Sequence, residues 1–162
     1  MFDFELTKAV ATLENVNLRT EKIGPDRVPA ADLKITCPCD SGVLAHFSAT
    51  LKAMLFNENG PRDLADGLPL RDPHMVYPLQ RDEEMTGATI TIEYGVESPL
   101  VFADAKVNQF RLTPMEGGSV VVGFRVQCRP SEGQVGKLYL LQENGITVTL
   151  EPAELATMGE AA

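Results

Sequence analysis

The feature that most constrains the fold of this sequence is a pair of strand-like segments within residues 101–129. In the second segment, apolar residues occupy every other position, which is the period-two pattern of a strand with one buried face. The apolar set comprises Val120, Val122, Phe124, Val126 and Cys128. Between the segments, Gly117 and Gly118 can supply the positive φ that a hairpin reversal requires. The sequence therefore predicts a central antiparallel hairpin.

The first strand of this hairpin has a less regular pattern. Its apolar residues form two sets that are out of step with each other: Val101, Ala103, Ala105 and Val107, then Phe110 and Leu112. A residue inserted near Asn108 and Gln109 would cause such a shift, because a β-bulge moves the following side chains to the other face. We therefore expect a bulge at that point.

The rest of the chain predicts four more strands and two helices. Strands are expected at 8–19, 31–37, 86–95 and 146–150, and helices at about 42–56 and 132–143. The resulting order, β-β-α-β-β-β-α-β, predicts an α+β fold. In this fold a single, mainly antiparallel sheet carries both short helices on one face.

The length of 162 residues is appropriate for one domain. We expect residues 1–151 to form it, with a long irregular loop at 57–85 that contains four prolines. Residues 152–162 include acids and no base, and they predict a flexible acidic tail. No apolar run has the length of a membrane helix, and the first residues lack the basic segment of a signal peptide. A cytoplasmic location without membrane contact is expected.

Few residues have the chemistry of a catalytic or metal site. Cys37, Cys39, His46 and His74 are zinc-ligand types, but C-x-C is not the usual cysteine spacing of zinc sites. We interpret the cysteines as free thiols in a reducing compartment and predict no metal and no other cofactor. The sequence contains no P-loop, no G-x-S-x-G and no H-E-x-x-H motif. These observations predict that the protein is not an enzyme.

Charge is unevenly distributed along the chain. The net charge of −9 argues against a protein that coats duplex DNA, because such binding neutralises phosphates. The hairpin region is mildly basic, and a basic sheet face with aromatic residues is typical of proteins that bind single-stranded nucleic acid. The candidate binding residues are Lys106, Arg111, Arg125, Gln127, Arg129 and Lys137, and the candidate stacking residues are Tyr94, Phe110 and Tyr139. The competing interpretation is that Tyr94 and Phe110 belong to the core.

Acidic residues are concentrated in the 57–85 loop. Such a loop can contact a protein partner, with carboxylates in place of phosphates, or can simply be solvated. The candidate contact residues are Asp63, Asp66, Asp72, Tyr77, Asp82, Glu83 and Glu84.

Two segments, ENVNLRTEKIGPDRVPAADLKI at 14–35 and ADAKVNQFRLTPMEGGSVVVGFRVQCRPSEGQVGKLYLL at 103–141, resemble small proteins encoded by tailed phages and prophages. The resemblance implies an accessory role in DNA replication or recombination, or against host defence. Three functions are consistent with it: a non-enzymatic protein that binds single-stranded nucleic acid, an anti-defence inhibitor that contacts a host or phage protein, and a small virion component. The resemblance carries no functional residue and leaves the oligomeric state open.

Overall fold

The described residues contain seven strands and three short helical segments. The computed structural model describes residues 2–57, 67–95 and 98–153. Its strands are β1 (Leu6–Ile23), β2 (Asp26–Asp40), β3 (Leu79–Arg81), β4 (Met85–Glu93), β5 (Leu100–Pro114), β6 (Ser119–Cys128) and β7 (Gly145–Glu151). Its helical segments are a 3₁₀ helix (Ser41–His46), α1 (Leu51–Leu55) and α2 (Glu132–Leu141).

Six of the strands form a closed antiparallel barrel. The strands are neighbours in the order β5, β4, β7, β1, β2, β6, and β6 also pairs with β5. This last pairing joins the two ends of the strand order and closes the sheet. Strand β3 lies outside the closed ring and pairs with residues 110–112 of β5.

The expected α+β fold is therefore wrong. An open sheet has two edge strands, whereas each of the six barrel strands pairs with a neighbour on both sides. Strand β6, for example, pairs with β5 and also with β2, from Ala31 opposite Cys128 to Asp40 opposite Ser119. The alternation of apolar residues identifies the buried face of each strand, but a barrel and an open sheet share that alternation. The local pairs, β1 with β2 and β4 with β5 with β6, were predicted from the sequence and are confirmed.

The helix predicted at about 42–56 is not continuous. It is divided into the 3₁₀ helix and the five-residue helix α1. At the break, the Ser48 hydroxyl accepts the backbone N–H of Thr50 at 3.3 Å, and such local bonds compete with helical ones. The apolar residues Leu44, Phe47, Leu51 and Leu55 of this segment are nevertheless buried, whereas Met54 is 62% exposed.

Helix α2 agrees with the helix predicted at 132–143. The Ser131 hydroxyl accepts the N–H of Gln134 at 3.3 Å, and the Gln134 side chain accepts the N–H of Ser131 at 2.9 Å. This reciprocal capping box satisfies two backbone donors of the first turn. Only Leu138 of α2 is fully buried, whereas Tyr139 and Leu140 are exposed.

The inside of the barrel is filled by aliphatic side chains and a cluster of phenylalanines. The Phe110 ring centroid lies 5.3 Å from that of Phe4, 5.3 Å from that of Phe47 and 6.0 Å from that of Phe124. Phe124, which the alternation predicted to be buried, is 2% exposed, and Leu51 of α1 is 4% exposed. The predicted inward set of β6 is buried throughout.

Strand β5 contains two irregularities, of which the sequence predicted one. The bulge at Gln109, whose φ is 54°, is confirmed. A second irregularity occurs at Asp104, whose φ is also 54°. Because of it, Phe102 points into the core while Val101 is 49% exposed, so the predicted inward set was wrong before Ala105.

Parts of the predicted loop and tail lie outside the described residues. This applies to Asp63, Asp66 and the tail beyond Ala153. The described part of the loop is partly ordered, because Leu68 forms a bridge with Gly117 and β3 pairs with β5. Across the described ranges, no helix has the length and apolar character needed to cross a membrane.

Candidate functional site

The outward face of β1, β2, β6 and β5 carries a row of polar side chains. The strand register places Asn15 opposite Lys34, Lys34 opposite Arg125, and Arg125 opposite Asn108. Alternate residues of each strand fill the barrel, so the residues between them face outward. Residues that are distant in sequence are therefore brought together in one row across four strands.

A groove of about 480 Å³ follows this face. Its walls come from four barrel strands and from Pro78. The lining residues are Asn15, Asn17, Asp32, Lys34, Thr36, Pro78, Gln109, Arg111, Thr113, Val121, Gly123, Phe124 and Arg125.

The floor of the groove is formed at Gly123. The register places Gly123 between Thr36 of β2 and Arg111 of β5. A Cβ atom built at Gly123 would lie 3.7 Å from Cγ2 of Thr36 and 3.8 Å from Cβ of Arg111, which are ordinary contact distances. The glycine is thus not required by its neighbours, and its effect is to deepen the groove, as glycines in strands do where another group approaches the backbone.

The bulge at Gln109 shapes one wall. From Asn108 to Arg111 the chain advances by three residues, whereas β6 advances by two, from Arg125 to Gly123. The positive φ of Gln109 is unfavourable for a residue with a side chain. The result is that Oδ1 of Asn108 accepts a hydrogen bond from Nε of Arg125 at 3.0 Å. The bulge therefore helps to hold an arginine across the groove, which is a common use of bulges at functional sites.

Three cations of the groove have no carboxylate partner among the described residues. Among the described residues, no ion pair involves Lys34, Arg111 or Arg125. Arg125 is bound only to the neutral amide of Asn108. The protein as a whole carries a net charge of −9, so this grouping is contrary to its overall charge. Unpaired cations in a concave site favour an anionic ligand.

Asp32 is the one acid among the described residues of the lining, and its carboxylate already accepts hydrogen bonds from other side chains. Asp32 accepts two hydrogen bonds from Nε of Arg19, both at 3.1 Å, and one from Gln127 at 3.3 Å. Burial alone would raise the pKa of Asp32, but hydrogen bonds from Arg19, Gln127 and Asn17 lower it below its ordinary value. The carboxylate of Asp32 is thus already bound by Arg19 and Gln127, which are not among the three cations.

The predicted nucleic-acid-binding residues separate into three groups. Arg111 and Arg125 line the groove. Lys106, Gln127 and Arg129 line a smaller hollow of about 180 Å³ beside it. Lys137 is exposed on α2 and lines neither hollow. The sequence-based prediction did not include the groove residues from β1 and β2, which are Asn15, Asn17, Lys34 and Thr36. It also did not include Gln109 of β5.

The predicted stacking residues do not converge on the groove. Phe110 is fully buried, and Tyr139 is 66% exposed on α2. Tyr94 is half-buried at the end of β4. For Phe110, the competing interpretation as a core residue is correct.

The described acids of the 57–85 loop are largely bound to nearby groups. Arg81 donates two hydrogen bonds to the Glu83 carboxylate, at 2.9 and 2.7 Å. Nζ of Lys106 lies 3.3 Å from Oε1 of Glu84. Asp72 accepts the backbone N–H of His74 at 3.0 Å. Burial, together with the charge of Asp72, raises the pKa of the half-buried Tyr77. Asp82 is exposed.

The cysteine pair and the two histidines do not form a common site. The sulfur atoms of Cys37 and Cys39 lie 3.8 Å apart, and Nδ1 of His46 lies 3.1 Å from Asp3. No group of three metal-ligating side chains occurs within residues 2–57, 67–95 and 98–153.

Comparison with known proteins gives no match: no family model, curated protein or solved structure is similar to this chain. A function for this chain is therefore inferred from the geometry of the groove.

Proposed function

We propose that this protein is a non-enzymatic binding protein that holds phosphate groups of single-stranded nucleic acid in the groove. The observation that carries the proposal is the grouping of Lys34, Arg111 and Arg125 around a glycine floor, with no carboxylate partner in the described part of the chain. Its setting would be the cytoplasm of a host cell, in the DNA metabolism of a phage or prophage, as the resemblance of residues 14–35 and 103–141 implies.

The side chains of the groove suit phosphate recognition. Guanidinium groups bind phosphate oxygens in a fork geometry, and a lysine adds a compact point charge. Around them, amides and hydroxyls such as those of Asn15, Thr36 and Gln109 can bond to sugars or base edges. The proposal assigns the phosphates to the three cations and the rest of the nucleotide to these neutral groups.

A catalytic role receives less support from the same residues. The groove lining, as far as the chain is described, contains no histidine, cysteine or glutamate. Its only carboxylate, Asp32, is held by Arg19 and Gln127. General acid–base or nucleophilic chemistry needs a side chain that is free to exchange a proton or attack a substrate. We therefore retain binding as the proposed activity.

The proposed alternative, an inhibitor with acids that imitate nucleic acid, has weaker support. Such a surface requires a row of uncompensated carboxylates, but Glu83 and Glu84 are paired with Arg81 and Lys106. Asp63 and Asp66 lie outside the described residues.

The proposal predicts a specific loss for Arg111→Ala. Binding of a fluorescein-labelled single-stranded oligonucleotide, measured by anisotropy at several salt concentrations, should weaken by about tenfold, since a lost charge-assisted bond costs roughly 1.5 kcal/mol. The slope of log affinity against log salt should become shallower by about 0.7, the value for one phosphate contact on a single strand.

Lys137→Ala is the matched control, because it removes one exposed positive charge outside the groove. It should change neither the affinity nor the salt slope measurably. The proposal is contradicted if the unmodified protein does not bind at low salt, or if both variants lose the same affinity.

A further inference from the structure

We infer that the groove recognises a compact phosphate ester of one or two nucleotides, and that a longer strand gains no further contacts on the protein. This inference rests on the proposed function, because it concerns the same groove. It adds the size of the ligand and the extent of the protein surface that the ligand contacts.

The volume of the groove sets the first limit. At about 480 Å³, it falls within the range of roughly 300–1,000 Å³ that is typical of sites for small molecules. Proteins that follow a strand without sequence preference contact about 4–16 nucleotides for each binding fold. A groove of this volume holds only a short part of such a strand.

The distribution of charge sets a second limit, at the end of the groove beside Gln127. There the cations are already bound to carboxylates. Nη2 of Arg19 lies 3.1 Å from Oδ1 of Asp32, and Nη2 of Arg129 lies 3.0 Å from Oε2 of Glu21. Hydrogen bonds from Arg19 and Arg129 lower the pKa of Glu21, so its charge persists at neutral pH. A phosphate at this position would meet a carboxylate beside every guanidinium.

The side of the groove at β5 and β3 is closed in the same way. Beyond Gln109 a small hollow is lined by Gln80, Arg81 and Arg111, but Arg81 is held by Glu83 at 2.7 Å. Of the cations that border the groove, Lys34, Arg111 and Arg125 are the ones without a carboxylate partner in the described structure. The positive surface therefore ends within the groove and does not continue as a track.

Base stacking offers no compensation for a longer strand. Phe124, the one aromatic residue among the described residues of the lining, is only 2% exposed. Non-specific single-strand binding depends on exposed rings. The amides of Asn15, Asn17 and Gln109 instead surround the site with directional hydrogen-bonding groups. Sites of this kind discriminate strongly between ligands that do and do not satisfy them.

The test compares ligands of increasing length on the full chain. Affinities for a 5′-phosphorylated thymidine dinucleotide, which carries two phosphates, and for oligothymidylates of eight and sixteen residues are measured by calorimetry. Each association constant is then divided by the number of overlapping two-nucleotide positions on that ligand. The inference predicts that the resulting values agree within about threefold. It also predicts a salt slope near −1.4 for both oligothymidylates, since two phosphate contacts on a strand contribute about −0.7 each.

The outcomes separate this inference from the proposed function. If the affinity for each position rises tenfold or more with length and the slope steepens, the inference fails while the proposed function stands. If no oligonucleotide binds, both fail. Ribose 5-phosphate and inorganic phosphate should bind at least tenfold more weakly than the dinucleotide. Equal binding of ribose 5-phosphate would overturn the assignment to nucleotides.

The Gly123→Ala variant tests whether the ligand binds in the groove. The added methyl group occupies the floor without a steric clash, so the protein should keep its melting temperature and lose about tenfold in dinucleotide affinity. Gly145→Ala is the matched control, because Gly145 also lies in a strand, and a Cβ there meets only the carbonyl oxygen of Ala11 at 3.9 Å. Unchanged dinucleotide affinity in Gly123→Ala would place the binding site elsewhere.

Discussion

Replacing Phe110 with alanine is expected to lower the free energy of unfolding by about 4 kcal/mol, because the change removes a buried ring and leaves a cavity. Phe110 is fully buried, and its ring contacts those of Phe4, Phe47 and Phe124. The surrounding strands are held in a closed barrel and can relax only partly around a missing ring. Chemical denaturation of both proteins, followed by circular dichroism, gives the difference.

Tyr139→Ala is the control for this prediction, because Tyr139 is 66% exposed on α2, and exposed positions usually change stability by less than about 0.5 kcal/mol. If Phe110→Ala does not fold, Phe110→Leu retains much of the volume and should cost about 1.5 kcal/mol. A loss below about 1 kcal/mol for Phe110→Ala would show that this ring is not central to the packing.

Reversing two charges in the groove should have the largest effect on binding. The double variant Lys34→Glu with Arg111→Glu is expected to weaken oligonucleotide binding by a factor of about 100 or more, since like charges placed against a ligand cost several kcal/mol. Neither residue has an ion-pair partner in the described structure, so the melting temperature should change little. Anisotropy gives the affinity, and differential scanning calorimetry gives the melting temperature.

The control for net charge is Lys22→Glu with Lys137→Glu, which makes the same total change at two exposed sites outside the groove. If this control weakens binding as much as the groove variant does, the effect comes from overall repulsion. The groove would then not be the binding site.

The sequence was informative about individual strands and less so about their arrangement. The alternation around Phe124 predicted both the hairpin and its buried face, because those properties depend on neighbouring residues. The closed barrel also needs long-range pairings, such as that of β2 with β6, whose residues lie about 90 positions apart. No local pattern specifies such a pairing, and the same alternation fits an open sheet.

The residues of the candidate site were likewise predictable only where they lie close together in sequence. Arg111 and Arg125 were predicted because they lie on one local hairpin, whereas Lys34 and Asn15 join them only through the long-range register. Lys34 does face outward between Leu33 and Ile35, so its exposure follows from the alternation of β2. Its position beside Arg125 does not. The carboxylates that neutralise Lys106 and Arg129, which are Glu84 and Glu21, were also beyond prediction for this reason.

A phosphate-bearing ligand should bind in the groove around Gly123. Titration of the ¹⁵N-labelled protein with a thymidine dinucleotide, followed by amide chemical shifts, tests this binding residue by residue. The largest shifts are expected at Lys34, Arg111, Gly123 and Arg125, while the amides of α2 and of residues 67–77 should stay unchanged. Shifts that are absent from the groove, or that are largest on α2 or in the loop, would contradict it.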